Sequence, residues 1–176
     1  MAKGLPRSMS RGAAARQEII KQSIAFDQSL DITGVDSAVD AGTFVISGLP
    51  QGNLLFLGAV AYAQVDAGAD AHVIDNWNGD YGIGTIPNAD VDLGDAGDDD
   101  IIPSTALDAG ASDKLAPSTR GASTGTEHGL IIDNTAGDLE LNFNLLIDDN
   151  VITDTEDGTF QVTGVIHLAY IVLGDD

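Results

Sequence analysis

The residues of this chain that carry reactive chemistry are few, and one set stands in a familiar order. Gly121-Ala122-Ser123-Thr124-Gly125 spells G-x-S-x-G, and Asp148 and His167 follow it in the Ser–Asp–His order of an α/β-hydrolase. That chemistry needs the serine on a strained turn between a strand and a helix, with its hydroxyl exposed and a histidine placed to take its proton. Here a Pro/Ser/Thr-rich stretch precedes the motif and the strand-like "HGLIID" follows it. In a chain with 21 Gly such a match is easily met, and a flexible loop is the plainer reading.

Other constellations are thinner. His72, His128 and His167 are ligand types, since neutral imidazole binds metals, but they lie on three separate segments with no short spacing between any two. Cysteine is absent, which removes disulfides, thiolate-bound zinc and thiol catalysis together. Glu127, Glu140 and Glu156 have nothing around them to mark a glycosidase acid, whose carboxyl needs a partly apolar cleft. "GIGTIP" lacks the third glycine and the following helix of a nucleotide-binding loop. The chain therefore reads as non-enzymatic, with no cofactor required.

The strongest ligand-like feature is the run Asp90, Asp92, Asp95, Asp98, Asp99 and Asp100. Calcium takes six to eight hard oxygens, and loops with alternating Asp supply them. "DVDLGDAGDDDII" matches neither the EF-hand loop nor the glycine-rich calcium nonapeptides. The run thus predicts either a Ca²⁺ held by Asp90, Asp92, Asp95, Asp98 and Asp100, or a solvated acidic loop with loose counterions. "DNWNGD" at 75–80 is a second polar turn of the same kind.

Positive charge is gathered at one end. Five of the seven Lys and Arg (Lys3, Arg7, Arg11, Arg16 and Lys21) fall in residues 1–21, which balance to +4; residues 22–176 balance to −25. A body this acidic repels nucleic acid and anionic membranes, so neither is an expected partner. Dense carboxylates with little Lys also fit a high-salt environment, where salt screens self-repulsion; an ordinary acidic protein is the other reading. No apolar h-region follows the basic start, and the longest apolar run, 54–63, is too short to span a bilayer as a helix. A soluble protein outside the usual export route is expected.

The elements that would position these residues are mostly strands. Residues 1–11 read as an extended arm, and "GAAARQEIIKQ" at 12–22 predicts a short helix. Beyond it the two-residue period of half-buried strands appears. Leu139, Leu141, Phe143, Leu145 and Ile147 share one face, with Glu140, Asn142, Asn144 and Asp148 opposite. Phe160, Val162, Ile166, Leu168, Tyr170 and Val172 share another, and their opposite face turns apolar at Ala169, Ile171 and Leu173. "SIAFDQSLDI", "YGIGTI" and "HGLIID" add strands, and 43–65 reads as a hairpin turning at Pro50 and Gly52. Residues 88–127 form a long polar loop region in which "DVDLG" and "DIIPS" are candidate short strands. The expected fold is mainly β: an antiparallel, jelly-roll-like β-sandwich over 23–176, preceded by a basic arm with a short helix over 1–22.

The segment "YGIGTIPNADVDLGDAGDDDIIPSTALDAGAS", 81–112, resembles a phrase of the head decoration (cement) proteins of tailed viruses. It combines a Tyr-x-Ile-Gly-Thr strand, an Ala-Asp pair and an Asp-Ile-Ile-Pro-Ser-Thr turn. The resemblance implies a β-sandwich, often trimeric, on the capsid exterior, bracing a major capsid protein or neighbouring virion subunits. Lys3, Arg7, Arg11, Arg16 and Lys21 would then be anchoring contacts. A surface-appendage module (turret, fibre base or adhesin) binding Ca²⁺ or glycan is the alternative. The apolar outer positions 169, 171 and 173, with 54–63, predict burial in a homo-oligomer or under the protein's own loops.

Overall fold

The computed structural model describes residues 18–35, 38–67, 70–74, 77–89, 92–94, 97–107, 113–121, 130–153 and 155–174. Nine strands run in chain order: β1 (Ile20–Thr33), β2 (Asp40–Gly48), β3 (Gly52–Asp66), β4 (Gly79–Gly84), β5 (Ile102–Leu107), β6 (Asp113–Gly121), β7 (Leu130–Asn134), β8 (Glu140–Ile147) and β9 (Asp157–Gly174). They form a five-stranded sheet, β1-β9-β3-β6 with β7 also on β3, and a four-stranded sheet, β2-β8-β4-β5.

Every pairing is antiparallel, and the order is that of one long hairpin rolled up. β6 pairs with Gly58–Asp66 and β7 with Gly52–Phe56, so together they act as a single interrupted partner of β3. Counting them as one leaves the pairs β1·β9, β2·β8, β3·β6/β7 and β4·β5, split between two stacked sheets. That is a jelly roll, as the alternation of apolar positions led one to expect.

The core is built where the two sheets face each other. Phe26 of β1 meets Phe143 of β8 with ring centroids 5.6 Å apart. Phe143 is flanked by Phe44 of β2 at 5.2 Å and Tyr81 of β4 at 5.3 Å, both stacked. Trp77 lies edge-on to Phe160 at 5.2 Å and anchors the core just ahead of β4. Gly164, paired with Phe26, has no room for a side chain because the Phe26 ring and the Tyr62 carbonyl occupy that space.

Three expectations change. The predicted hairpin over 43–65 does not form: β2 and β3 belong to different sheets. The turn between them crosses the sandwich, held by buried Asn134, whose Nδ2 donates to the Leu49 and Pro50 carbonyls (3.2 and 3.0 Å). Gly52 leaves the turn at φ +115°, a conformation that glycine adopts without strain. The predicted helix does not reach 20–22, because Ile20, Lys21 and Gln22 open β1 against Tyr170, Ala169 and Leu168. Local helix propensity is weak beside a ladder of main-chain bonds, and Tyr170 Oη adds a hydrogen bond to Gln22 Oε1 (3.1 Å). Residues 12–17 lie outside the described residues. Within the long polar region, "DIIPS" contributes to β5, while β6 carries no two-residue apolar period that would have marked it.

Phe143 touches both sheets, so Phe143→Ala should cost about 3–5 kcal/mol. Urea unfolding should show a lower midpoint with an unchanged slope, and Phe143→Leu should recover much of the loss.

Candidate functional site

The Ser–Asp–His order does not become a site. Ser123 lies outside the described residues, as do His128 and Glu127. Asp148 follows β8 and lines a cleft on the four-stranded sheet, whereas His167 stands on the outer face of the five-stranded sheet. His167 Nδ1 instead lies 2.7 Å from the Ser23 Oγ, a residue 144 positions away brought there by the β1·β9 register. No motif could have signalled that pair. It sits on the outer face of a sheet, beside β9, which is paired on both sides. Its consequence is that two exposed polar groups satisfy each other. His72 is in a separate turn, where its N–H donates to Asp70 Oδ1 (2.9 Å).

The acidic run is used largely for loop construction. Asp90 and Asp95 lie outside the described residues. Asp92 Oδ1 accepts from the Gly94 N–H (3.0 Å), and Asp99 Oδ2 from the Ser104 N–H (3.0 Å). Asp100 takes both the N–H and the hydroxyl of Thr85, each at 2.9 Å. Asp98 is buried, and its carbonyl accepts from Asn144 Nδ2 (2.7 Å). Among the described residues no group of three or more His, Cys, Asp or Glu is placed to hold a metal ion.

Asn144 organises this loop. It is fully buried although it lies on the face of β8 that alternation assigns to solvent. Its Oδ1 accepts from Thr43 Oγ1 (2.8 Å) and the Asn88 N–H (2.9 Å), and its Nδ2 also donates to the Ile86 carbonyl (3.0 Å). Ile86, Asn88 and Asp98 are thereby pinned over the outer face of the four-stranded sheet. Beside them opens a cleft of about 470 Å³ lined by Asp80, Asp92, Leu93, Ser104, Leu146 and Asp148. Burial, and then repulsion from Asp148, pushes the Asp80 carboxyl above the usual carboxylate range.

The five-stranded sheet presents a different outer face. Leu55 pairs with Ile131 on one side and Ile171 on the other, making an apolar row across three strands. Val60, His167 and Ser23 form a second row, and Tyr62, Val165 and Ala25 a third. A shallow groove of about 380 Å³ runs past Lys21, Gly58, Val60 and Ala169. β3 reaches this face through a bulge, where Leu57 is skipped in the register with β9 and the inward parity passes from Leu54 and Phe56 to Ala59, Ala61, Ala63 and Val65. Of the five predicted anchoring residues, Lys21 lies on exposed β1 here; Lys3, Arg7, Arg11 and Arg16 are outside the described residues.

No family model matches the chain, and no curated protein matches it. Among solved structures it is similar to the VP2 subviral particle of infectious bursal disease virus, at 10% identity and TM-score 0.43, over 88% of this chain and 33% of that one. It is also similar to the Gx strain of that virus (10%, TM-score 0.40, 86% and 32%). A third is the cyanophage Pam1 capsid asymmetric unit (14%, TM-score 0.35, 88% and 84%). The chain thus spans about a third of the length of the first two. Its jelly roll rests on its own strand order and not on these likenesses.

Two substitutions test this geometry. Asn144→Ala strands buried main-chain groups and should lower stability by roughly 3 kcal/mol, with amide exchange accelerating first near 86–98. Asp80→Asn should raise the melting temperature at neutral pH. The folded carboxyl titrates above its unfolded value, so the native state keeps its proton longer. Stability from this group is then lost as pH rises through the folded pKa. The gap between variant and wild type should close as pH falls towards about 3.9, the unfolded value.

Proposed function

We propose that this chain is a non-enzymatic structural protein of a virion, decorating and stabilising a capsid from outside and held there by its basic N-terminal arm. It would act beside a major capsid protein or neighbouring virion subunits and as a homo-oligomer, with a trimer favoured by the cement-protein resemblance of 81–112. The observation that carries the reading is where the arm joins the body. β1 is the edge strand of the five-stranded sheet, and the chain enters it through exposed Ile19 and Ile20. The segment ahead of that point carries Lys3, Arg7, Arg11 and Arg16 against a single acid, Glu18, on a chain of net charge −21. A cationic tether at the edge of an acidic body suits an acidic protein surface next to it, and is a sparse match for nucleic acid.

The jelly roll supports the reading in kind, since capsid domains often use it, though lectins and cupins do as well. The test is binding of purified protein to capsid shells lacking it, with and without residues 1–17, a cut that leaves β1 whole. Removal of the arm should weaken binding at least tenfold, and added salt should weaken the intact protein in the same direction. Equal binding by both forms would overturn the arm's role, and no binding by either would overturn decoration itself.

A further inference from the structure

We infer that the outer face of the five-stranded sheet, centred on Leu55, Val60, Tyr62, Ile131 and Ile171, is the surface on which a second copy of this chain docks. The inference rests on the oligomer included in the proposed function and names its interface. Three observations favour a second copy over another occupant.

The first is charge. The three rows from Leu55 to Tyr62 contain no carboxylate; acids resume only at Asp133, opposite Asn53, and at Asp27 and Asp66 beyond Tyr62. Lys21 is exposed on β1 of this sheet in register with Ala169, and the strands of the four-stranded sheet contain no Lys or Arg. Two chains of net charge −21 repel over most of their surfaces, so they meet at least cost where this face is used. A basic partner would be drawn to the acidic surface instead.

The second is desolvation. Across β1, β9 and β3 the polar side chains of the three rows are Ser23 and His167, and they are hydrogen-bonded to each other at 2.7 Å. Covering them keeps that bond, and His167 Nε2 is the ring nitrogen that still needs a partner from the second copy.

The third is size. Four strands about 4.8 Å apart, over the roughly 26 Å from Leu55 to Tyr62, give a carboxylate-free face of roughly 500 Å². A standard interface buries about 800 Å² per partner. The apolar rows cover somewhat more than half of it, the usual apolar share of such a contact. Tyr62, Ile131 and Leu173 remain 48%, 61% and 40% exposed in the single chain, more than an isolated sheet face needs to present.

The experiment is mass in solution by sedimentation equilibrium for the full chain and three variants. Wild type should give a multiple of 18.1 kDa. Tyr62→Asp and Ile131→Asp replace exposed side chains, so each should stay folded by circular dichroism and shift to the single-chain mass. Val45→Asp, equally exposed on the opposite sheet, should leave the multiple unchanged. Because the chain has no cysteine, Tyr62→Cys and Val45→Cys give a second readout that does not depend on a disruptive charge. The thiol at 62 should be alkylated at least tenfold more slowly than that at 45. A wild-type mass of 18.1 kDa, unchanged mass in both Asp variants, or equal thiol reactivity would overturn the inference. Shell binding by the same variants separates the two readings: variants of single-chain mass that still bind shells support both. Variants that keep the multimer but lose shell binding would assign this face to the capsid and overturn the second-copy interface.

Discussion

The contact of Phe26 with Phe143 holds the two sheets in register with each other. Phe26 comes from the edge strand of one sheet and Phe143 from the second strand of the other, and Phe44 and Tyr81 stack on Phe143 from its neighbours. With only nine aromatics in the chain, four of them are spent on this one cluster. Gly164 is the counterpart on β9, since a side chain there would displace the Phe26 ring. The remainder of the core is Ala, Val, Ile and Leu, whose packing follows once the sheet separation is set by the rings.

Buried polar side chains are few among the described residues, and two asparagines carry much of their bonding. Asn134 pins the crossing from β2 to β3, and Asn144 pins Ile86, Asn88 and Asp98, each through both ends of its amide. An amide side chain can do this because it donates and accepts at once, as a carboxylate cannot. The consequence is a sandwich with two unlike outsides. The four-stranded sheet is covered by its own loop and edged with acid, while the five-stranded sheet offers an apolar face interrupted by the hydrogen-bonded Ser23–His167 pair.

That difference links the fold to the proposed role. A protein that works in an array needs one surface for its own kind and a separate means of holding its support. Here the apolar face and the basic arm meet at the same edge strand, β1, which would place self-association and anchoring side by side. The acidic remainder keeps the rest of the surface solvated and discourages contacts elsewhere.

Composition and alternation alone determined a good deal: a cysteine-free chain, all-β in its described residues, with the correct inward faces for β8 and β9, and a charge split between residues 1–21 and the rest. These were legible because strand periodicity is local and charge is additive. Tertiary structure decided the rest. Asn144 looked solvent-facing because alternation reports side-chain direction and cannot report that a loop 40 to 60 residues earlier folds over it. The run 54–63 looked apolar on both faces because a bulge at Leu57 and Gly58 exchanges inward and outward parity, which only the register with β9 exposes. The false hairpin at 43–65 had a plausible turn, but partner choice depends on β8 and β9, more than 80 residues further on. Ser23 and His167 carried no signal at all, since 144 residues separate them and only the closing of the β1·β9 ladder makes them neighbours.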